Sequence, residues 1–128
     1  MEQPVSQFKD KRGFARLSSA FWNTMDGFKS AWQGEQAFRQ EVIVGGIATI
    51  VALLLPISAF QKVALIGVLI FVLIIELINS AIEAVVDRIS LERHPLSKNA
   101  KDFGSGAVAL SILLAAAVWG VVLFNRFY

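Results

Sequence analysis

The chain reads as an all-α integral membrane protein: an N-terminal amphipathic surface helix plus three transmembrane helices, in a single membrane domain covering residues 1–128. Three observations predict this. Hydrophobic residues make up 55% of the chain and mean hydropathy is +0.60, more apolar surface than one soluble core of 128 residues can bury. Three apolar runs, at about 42–60, 63–86 and 104–124, are each long enough to cross a hydrocarbon core of about 30 Å. Ahead of them, at about 14–33, apolar residues recur every three or four positions, the helical period.

Met1 to Lys11 is polar, and we expect it to be frayed. From Phe14 the stripe Phe14, Leu17, Phe21, Met25, Phe28, Trp32 puts aromatic weight on one side of a helix, with Arg16, Asn23, Asp26 and Lys29 off it. That is the pattern of a segment lying in the membrane interface or packed on the transmembrane helices. Gly34 is a natural stop. Glu35 to Glu41, EQAFRQE, leads without a turn signal into the uncharged run from Val42 to Phe60, whose far end Pro56 caps or kinks. A connection of a few residues, Ser58 to Lys62, then predicts an antiparallel hairpin with the second span. The helical pattern is broken over Arg93 to Ser97, where Pro95 pushes its predecessor out of the helical region. The third span follows from about Gly104.

Composition removes several classes. Near-balanced charge, net +2, argues against a face that tracks nucleic-acid phosphates. With no cysteine and one histidine there is no disulfide framework, thiolate chemistry or self-sufficient zinc site. The first long apolar run starts too late for a cleavable signal sequence. Basic residues concentrate before the first span (Lys9, Lys11, Arg12, Arg16, Lys29, Arg39) and between spans two and three (Arg88, Arg93, Lys98, Lys101), against Lys62 and Arg126 on the other side. By the positive-inside rule both concentrations are cytoplasmic, and every polar cluster converges on one membrane face.

The stretch Glu76 to Arg88, ELINSAIEAVVDR, carries the chemistry. At the helical advance, Glu76, Asn79, Ser80, Glu83 and Asp87 fall within a sector of roughly 100°, opposite Leu, Ile, Val and Ala. Each charge on such a helix costs about 2.5 to 3.5 kcal/mol on insertion scales, so an intramembrane acid marks a functional site. Three helices are too few to shield the stripe from lipid. Small residues in span one (Gly45, Ala48, Thr49, Ala52) and span three (Ala107, Ser111, Ala115) permit close approach, within one subunit or between copies. Glu83 and Glu35, at the interface on separate segments, leave open positions for water and phosphate oxygens, as Mg²⁺ requires. Lys101, Arg16 and Arg39 lie at the same level and suit phosphates. Glu76, deeper and partly desolvated, suits proton acceptance from an alcohol, with Asn79 one turn away to orient it. Phosphoryl transfer from a soluble nucleotide to a lipid hydroxyl would need this arrangement. The same residues also allow a small proton- or ion-conducting assembly in which Glu76 relays protons. Bland roles compete at Glu35 and Arg39, four apart as a surface ion pair, and at Asp102, which suits a helix dipole.

The runs EQAFRQE (Glu35 to Glu41), ELINSAIEAVVDR (Glu76 to Arg88) and AKDFGSGAV (Ala100 to Val108), in this order and spacing, resemble the prokaryotic diacylglycerol kinase family from about Arg16 onward. The resemblance implies a bacterial inner-membrane enzyme, a homotrimer with active sites shared between subunits, using ATP and Mg²⁺ to convert diacylglycerol to phosphatidic acid. By matched position it implies Glu76 as catalytic base with Asn79 in support, and Glu35 and Glu83 as metal ligands. For ATP it implies Arg16, Glu35, Glu83, Glu92, Arg93, His94, Lys101 and Asp102, and for the lipid Arg16, Glu35, Arg39, Glu76 and Ser105. Asn23, Pro95, Lys98 and Asn99 depart from the family's pattern. Related members phosphorylate undecaprenol; the EQAFRQE form ending in Glu41 looks more like the diacylglycerol type.

Overall fold

In the computed structural model, residues 13–128 are described, so the polar N-terminal stretch with Lys9, Lys11 and Arg12 lies outside them. Four helices follow one another: α1 Phe14–Gly34, α2 Gln36–Leu54, α3 Ala59–Ile89 and α4 Pro95–Phe127. The described residues fall into two compact units, residues 13–35 and 36–128.

The first unit is α1. Gly13 precedes it with φ 59°, a backbone conformation that costs glycine little. The helix ends at Gly34 because Glu35 is extended, φ −118° and ψ 105°, while its N–H still donates to the Ala31 carbonyl at 2.9 Å. The stripe residues Phe14, Leu17, Phe21, Met25, Phe28 and Trp32 are all exposed. Phe21 and Trp22 meet edge to face, 5.2 Å between ring centroids.

The second unit is a three-helix bundle in which α3 packs against both α2 and α4. All three helices are long and apolar enough to cross a membrane. The first turn comes earlier than the hydropathy suggested: α2 stops at Leu54, and residues 55–58 carry the reversal that we expected at Ser58 to Lys62. Pro56 forces this by excluding Leu55 from the helical region. Ser58 then opens α3 with a capping box. Its Oγ accepts from the Gln61 N–H at 3.1 Å, and Gln61 Oε1 accepts from the Ser58 N–H at 3.0 Å. Carbonyls freed at the end of α2 find cations: Lys62 Nζ donates to Leu53 O at 2.7 Å, and Arg126 Nε to Pro56 O at 2.8 Å. Beside this turn lies the apolar core, Ala52, Leu65 and Val122, with Ile66, Val118 and Trp119 against it. Trp119 Nε1 also donates to Leu65 O at 3.2 Å.

At 31 residues α3 is about 46 Å long, beyond the hydrocarbon thickness, so its C-terminal turns emerge among headgroups or water. It ends at the extended Ser90, whose Oγ accepts from the Glu92 N–H at 3.0 Å. His94 caps α4, its Nδ1 accepting from the Leu96 N–H at 3.1 Å, and Pro95 takes the first helical position. The helix that carries the third span therefore begins well before Gly104, with Lys98, Lys101 and Asp102 on its first turns.

Candidate functional site

The α3 stripe turns toward α4. Glu76 and Asn79 are only 5% and 8% exposed, and Val72 one turn earlier is buried too. The single chain thus buries the deep half of the stripe, while Ser80 and Glu83 are half-buried and Asp87 is exposed. Asn79 lies against the backbone of Gly104. A Cβ at that glycine would be 3.2 Å from Asn79 Cγ and closer still to Oδ1. Only a residue without a side chain allows α4 this approach. Asn79 Nδ2 donates to Glu83 Oε1 at 3.3 Å, while its Oδ1 is buried with no hydrogen-bond partner. A buried acceptor left unsatisfied costs about 1–3 kcal/mol, so Oδ1 is a standing site for a donor.

One further turn along, Asp87 Oδ1 pairs with Lys101 Nζ at 2.7 Å, joining α3 to α4. Here the helix ends diverge around an open cleft of about 630 Å³. Of the six nucleotide candidates in the second unit, Glu92, Arg93, His94, Lys101 and Asp102 line it, and Glu83 does not. Asp87 and Lys98 line it as well, and Lys98 Nζ contacts Asp102 Oδ2 at 2.5 Å.

The remaining candidates are placed differently. Ser105 is exposed on α4 outside the cleft lining, and Arg39 is half-buried on α2. Arg16, exposed, and Glu35, half-buried, belong to the first unit. Among the described residues no group of three or more histidines, cysteines or carboxylates is arranged to hold a metal alone. Glu83, one turn before Asp87 on α3, offers carboxylate oxygens, the donor type that hard cations take.

Sequence reasoning used Glu41 only as a mark of substrate type and gave it no place in the site. Its Oε2 is buried without a partner, and its carboxyl interacts electrostatically with Glu76 across the α2–α3 interface. It walls a second, largely apolar cavity of about 260 Å³ with Val44, Gly45, Leu69 and Val72. The signal was present: Phe38, Glu41, Gly45, Ala48 and Ala52 follow the helical three-four spacing, so the small-residue face of α2 extends back through Glu41. Asp87 as a partner for Lys101, and Gly104 as a seat for Asn79, had no such signal, since each is a contact between helices.

Buried acid and amide inside a bundle of three helices apolar enough to cross a membrane, continuing along one helix to a cleft lined by three basic and three acidic side chains, define a membrane protein with an acidic site at its polar end. The family model described as prokaryotic diacylglycerol kinase matches residues 22–123. The chain is 46% identical over 120 residues to a diacylglycerol kinase of Pseudomonas aeruginosa, covering 94% of this chain and 98% of that one. It is 44% identical over 115 residues to the diacylglycerol kinase of Escherichia coli K12, covering 90% and 94%, and 38% identical over 127 residues to that of Helicobacter pylori J99, covering 97% and 99%. The chain belongs to the prokaryotic diacylglycerol kinase family.

Proposed function

We propose that the protein transfers the γ-phosphoryl group of ATP to the primary hydroxyl of diacylglycerol, giving phosphatidic acid and ADP. The observation that carries this reading is the continuous polar line on α3. It runs from the buried Glu76 and Asn79, through Glu83, to the Asp87–Lys101 pair at the mouth of a nucleotide-sized cleft. A lipid hydroxyl at acyl-chain depth and a phosphate chain at headgroup depth meet along such a line.

In this mechanism Glu76 takes the hydroxyl proton as the alkoxide oxygen forms its bond to phosphorus and the β–γ bridging oxygen leaves with ADP. Asn79 spans the two levels. Its amide nitrogen holds Glu83, and its open Oδ1 can receive an N–H or O–H donor other than the substrate hydroxyl, whose one proton goes to Glu76. Glu41 adds a polar wall to the apolar cavity and suits the glycerol end of the lipid; Arg16, Glu35, Arg39 and Ser105 are lipid-contacting residues by the family likeness alone. Glu92, Arg93, His94, Lys101 and Asp102 hold the nucleotide, and the family likeness adds Arg16 to that set. Glu83 and, by the family likeness, Glu35 are the ligands for Mg²⁺, which when bound neutralises charge on the phosphoryl oxygens.

The large apolar side chains exposed on the bundle, among them Ile47, Ile50, Ile70, Ile74, Leu110 and Leu113, leave ample surface for lipid and for neighbouring copies. We assign a homotrimer in the bacterial inner membrane, with the N-terminus and the α3–α4 connection cytoplasmic by the distribution of basic residues.

The test is transfer of label from γ-labelled ATP by purified protein in mixed micelles, with diacylglycerol and undecaprenol in separate reactions, each with Mg²⁺ and with chelator. Label on diacylglycerol alone, lost with chelator, supports the reading. Preference for undecaprenol would keep the mechanism and replace the substrate. No transfer to either lipid, with proton flux in sealed vesicles, would turn the acidic stripe into a conduction path.

A further inference from the structure

The cleft between α3 and α4 holds more positive charge than the nucleotide assignment uses. Arg93, Lys98 and Lys101 line it against Asp87, Glu92 and Asp102. Two of these cations are engaged: Lys101 by Asp87 across the helices, and Lys98 by Asp102 one turn along α4. The Lys98–Asp102 pair stands in solvent, its side chains 76% and 57% exposed, and an exposed pair four residues apart on a helix contributes little. Lys98 is therefore released at small cost when a stronger anion arrives. Lys98 and Lys101 are three residues apart on one helix, so their ammonium groups emerge on the same wall of the cleft. That wall is also the N-terminal end of α4, where the helix dipole adds positive potential.

We propose that Lys98 is a further phosphate-binding residue of the ATP site, parked on Asp102 until the polyphosphate draws it off. This rests on reading the cleft as the nucleotide site. In the free protein each lysine is neutralised by an aspartate, Lys98 by Asp102 and Lys101 by Asp87. In the complex both lysines turn to the phosphate oxygens, which accept charge-assisted hydrogen bonds from them, and Asp102 is freed at the same moment. The pairing in the free protein keeps two adjacent ammonium groups from repelling each other and holds their side chains toward the cleft.

The experiment compares Lys98→Ala, Lys98→Arg and Lys101→Ala in the full-length protein, checked for helicity, with the KM for ATP at fixed free Mg²⁺ and with inhibition constants for inorganic triphosphate and for adenosine. Lys98→Ala raises the KM for ATP and the inhibition constant of triphosphate together by about tenfold, the worth of one charge-assisted contact in a solvated site. The constant for adenosine stays put, and Lys98→Arg restores most of the loss. If Lys98→Ala moves neither constant while Lys101→Ala raises both, Lys98 is a solvated face residue and the proposal falls with the nucleotide site intact. If neither variant moves them, the cleft is not the phosphate site and the assignment beneath the proposal falls too.

Discussion

Gly104→Ala is the sharpest test of how the bundle builds its site, because it adds one methyl group and no charge. The new Cβ would lie 3.2 Å from Asn79 Cγ and 3.8 Å from its Cβ, with Oδ1 nearer than any contact a real Cβ makes. Asn79 is 8% exposed, so its carboxamide has little room to retreat. Turning it away carries Nδ2 off Glu83 Oε1, a bond already long at 3.3 Å. A hydrogen bond to a charged acceptor is worth about 1.5–3 kcal/mol, and the long distance places this one near the lower end. About 1.5 kcal/mol on the barrier is roughly a tenfold fall in kcat. If the helices part instead, overpacking costs about 1–3 kcal/mol of stability. The assay is label transfer to diacylglycerol in mixed micelles at saturating ATP and lipid, with thermal unfolding followed by helicity. Gly106→Ala is the control: its Cβ would meet nothing within 4 Å, so it keeps wild-type turnover. Wild-type turnover in Gly104→Ala would refute the claim that Asn79 must sit against this glycine, and equal losses in both glycine variants would reduce the effect to helix flexibility.

Glu76→Gln keeps the shape of the side chain but cannot take a proton, so phosphoryl transfer falls by 10²-fold or more, on the order of general-base contributions, while ATP still protects the cleft from proteolysis. Unaltered turnover would remove Glu76 from the chemistry. Glu83→Gln loses a charged oxygen ligand, and half-maximal activity then requires several-fold more Mg²⁺, read from a metal titration at fixed ATP. An unchanged titration curve would withdraw Glu83 as a ligand. Trp119→Phe deletes the bond from Nε1 to Leu65 O, 3.2 Å long, and part of the ring packed on the core, far from the acidic stripe. It lowers stability by about 1–3 kcal/mol and leaves KM for both substrates in place; a shift in either KM would mean that the two ends of the bundle are coupled.

The helices were legible because hydrophobic period and run length are local properties of the sequence. Their ends were less so, for two physical reasons. Leu53, Leu54, Leu55 and Ile57 keep the hydropathy high straight through a turn, so the apolar run outlasts α2; the better signal was Ser58 followed by Gln61, a capping box. At the other end, hydropathy reports only the apolar run, whereas α4 is already helix from Pro95 through the polar Lys98, Lys101 and Asp102. His94 and Pro95, read as an interruption, are its cap and first residue.

The site divides along the same line. Glu76, Asn79, Glu83 and Asp87 share a face by period alone, which is why one helix revealed the stripe. What that face meets depends on the rotation of α4, set by the absence of a side chain at Gly104 and by Lys101 reaching Asp87. Period cannot supply either contact. The structure also explains how a small bundle tolerates buried polar groups at one end. Its apolar cluster, the Trp119 bond and the carbonyls satisfied by Lys62 and Arg126 all lie near the opposite turn. Stabilising contacts concentrated there leave the polar end free to hold an open acceptor on Asn79, an unpartnered oxygen on Glu41 and two exchangeable ion pairs. The two open acceptors are costly in a resting fold and call for a bound hydrogen-bond donor, whereas the exposed ion pairs cost little to hold and little to exchange for a bound phosphate.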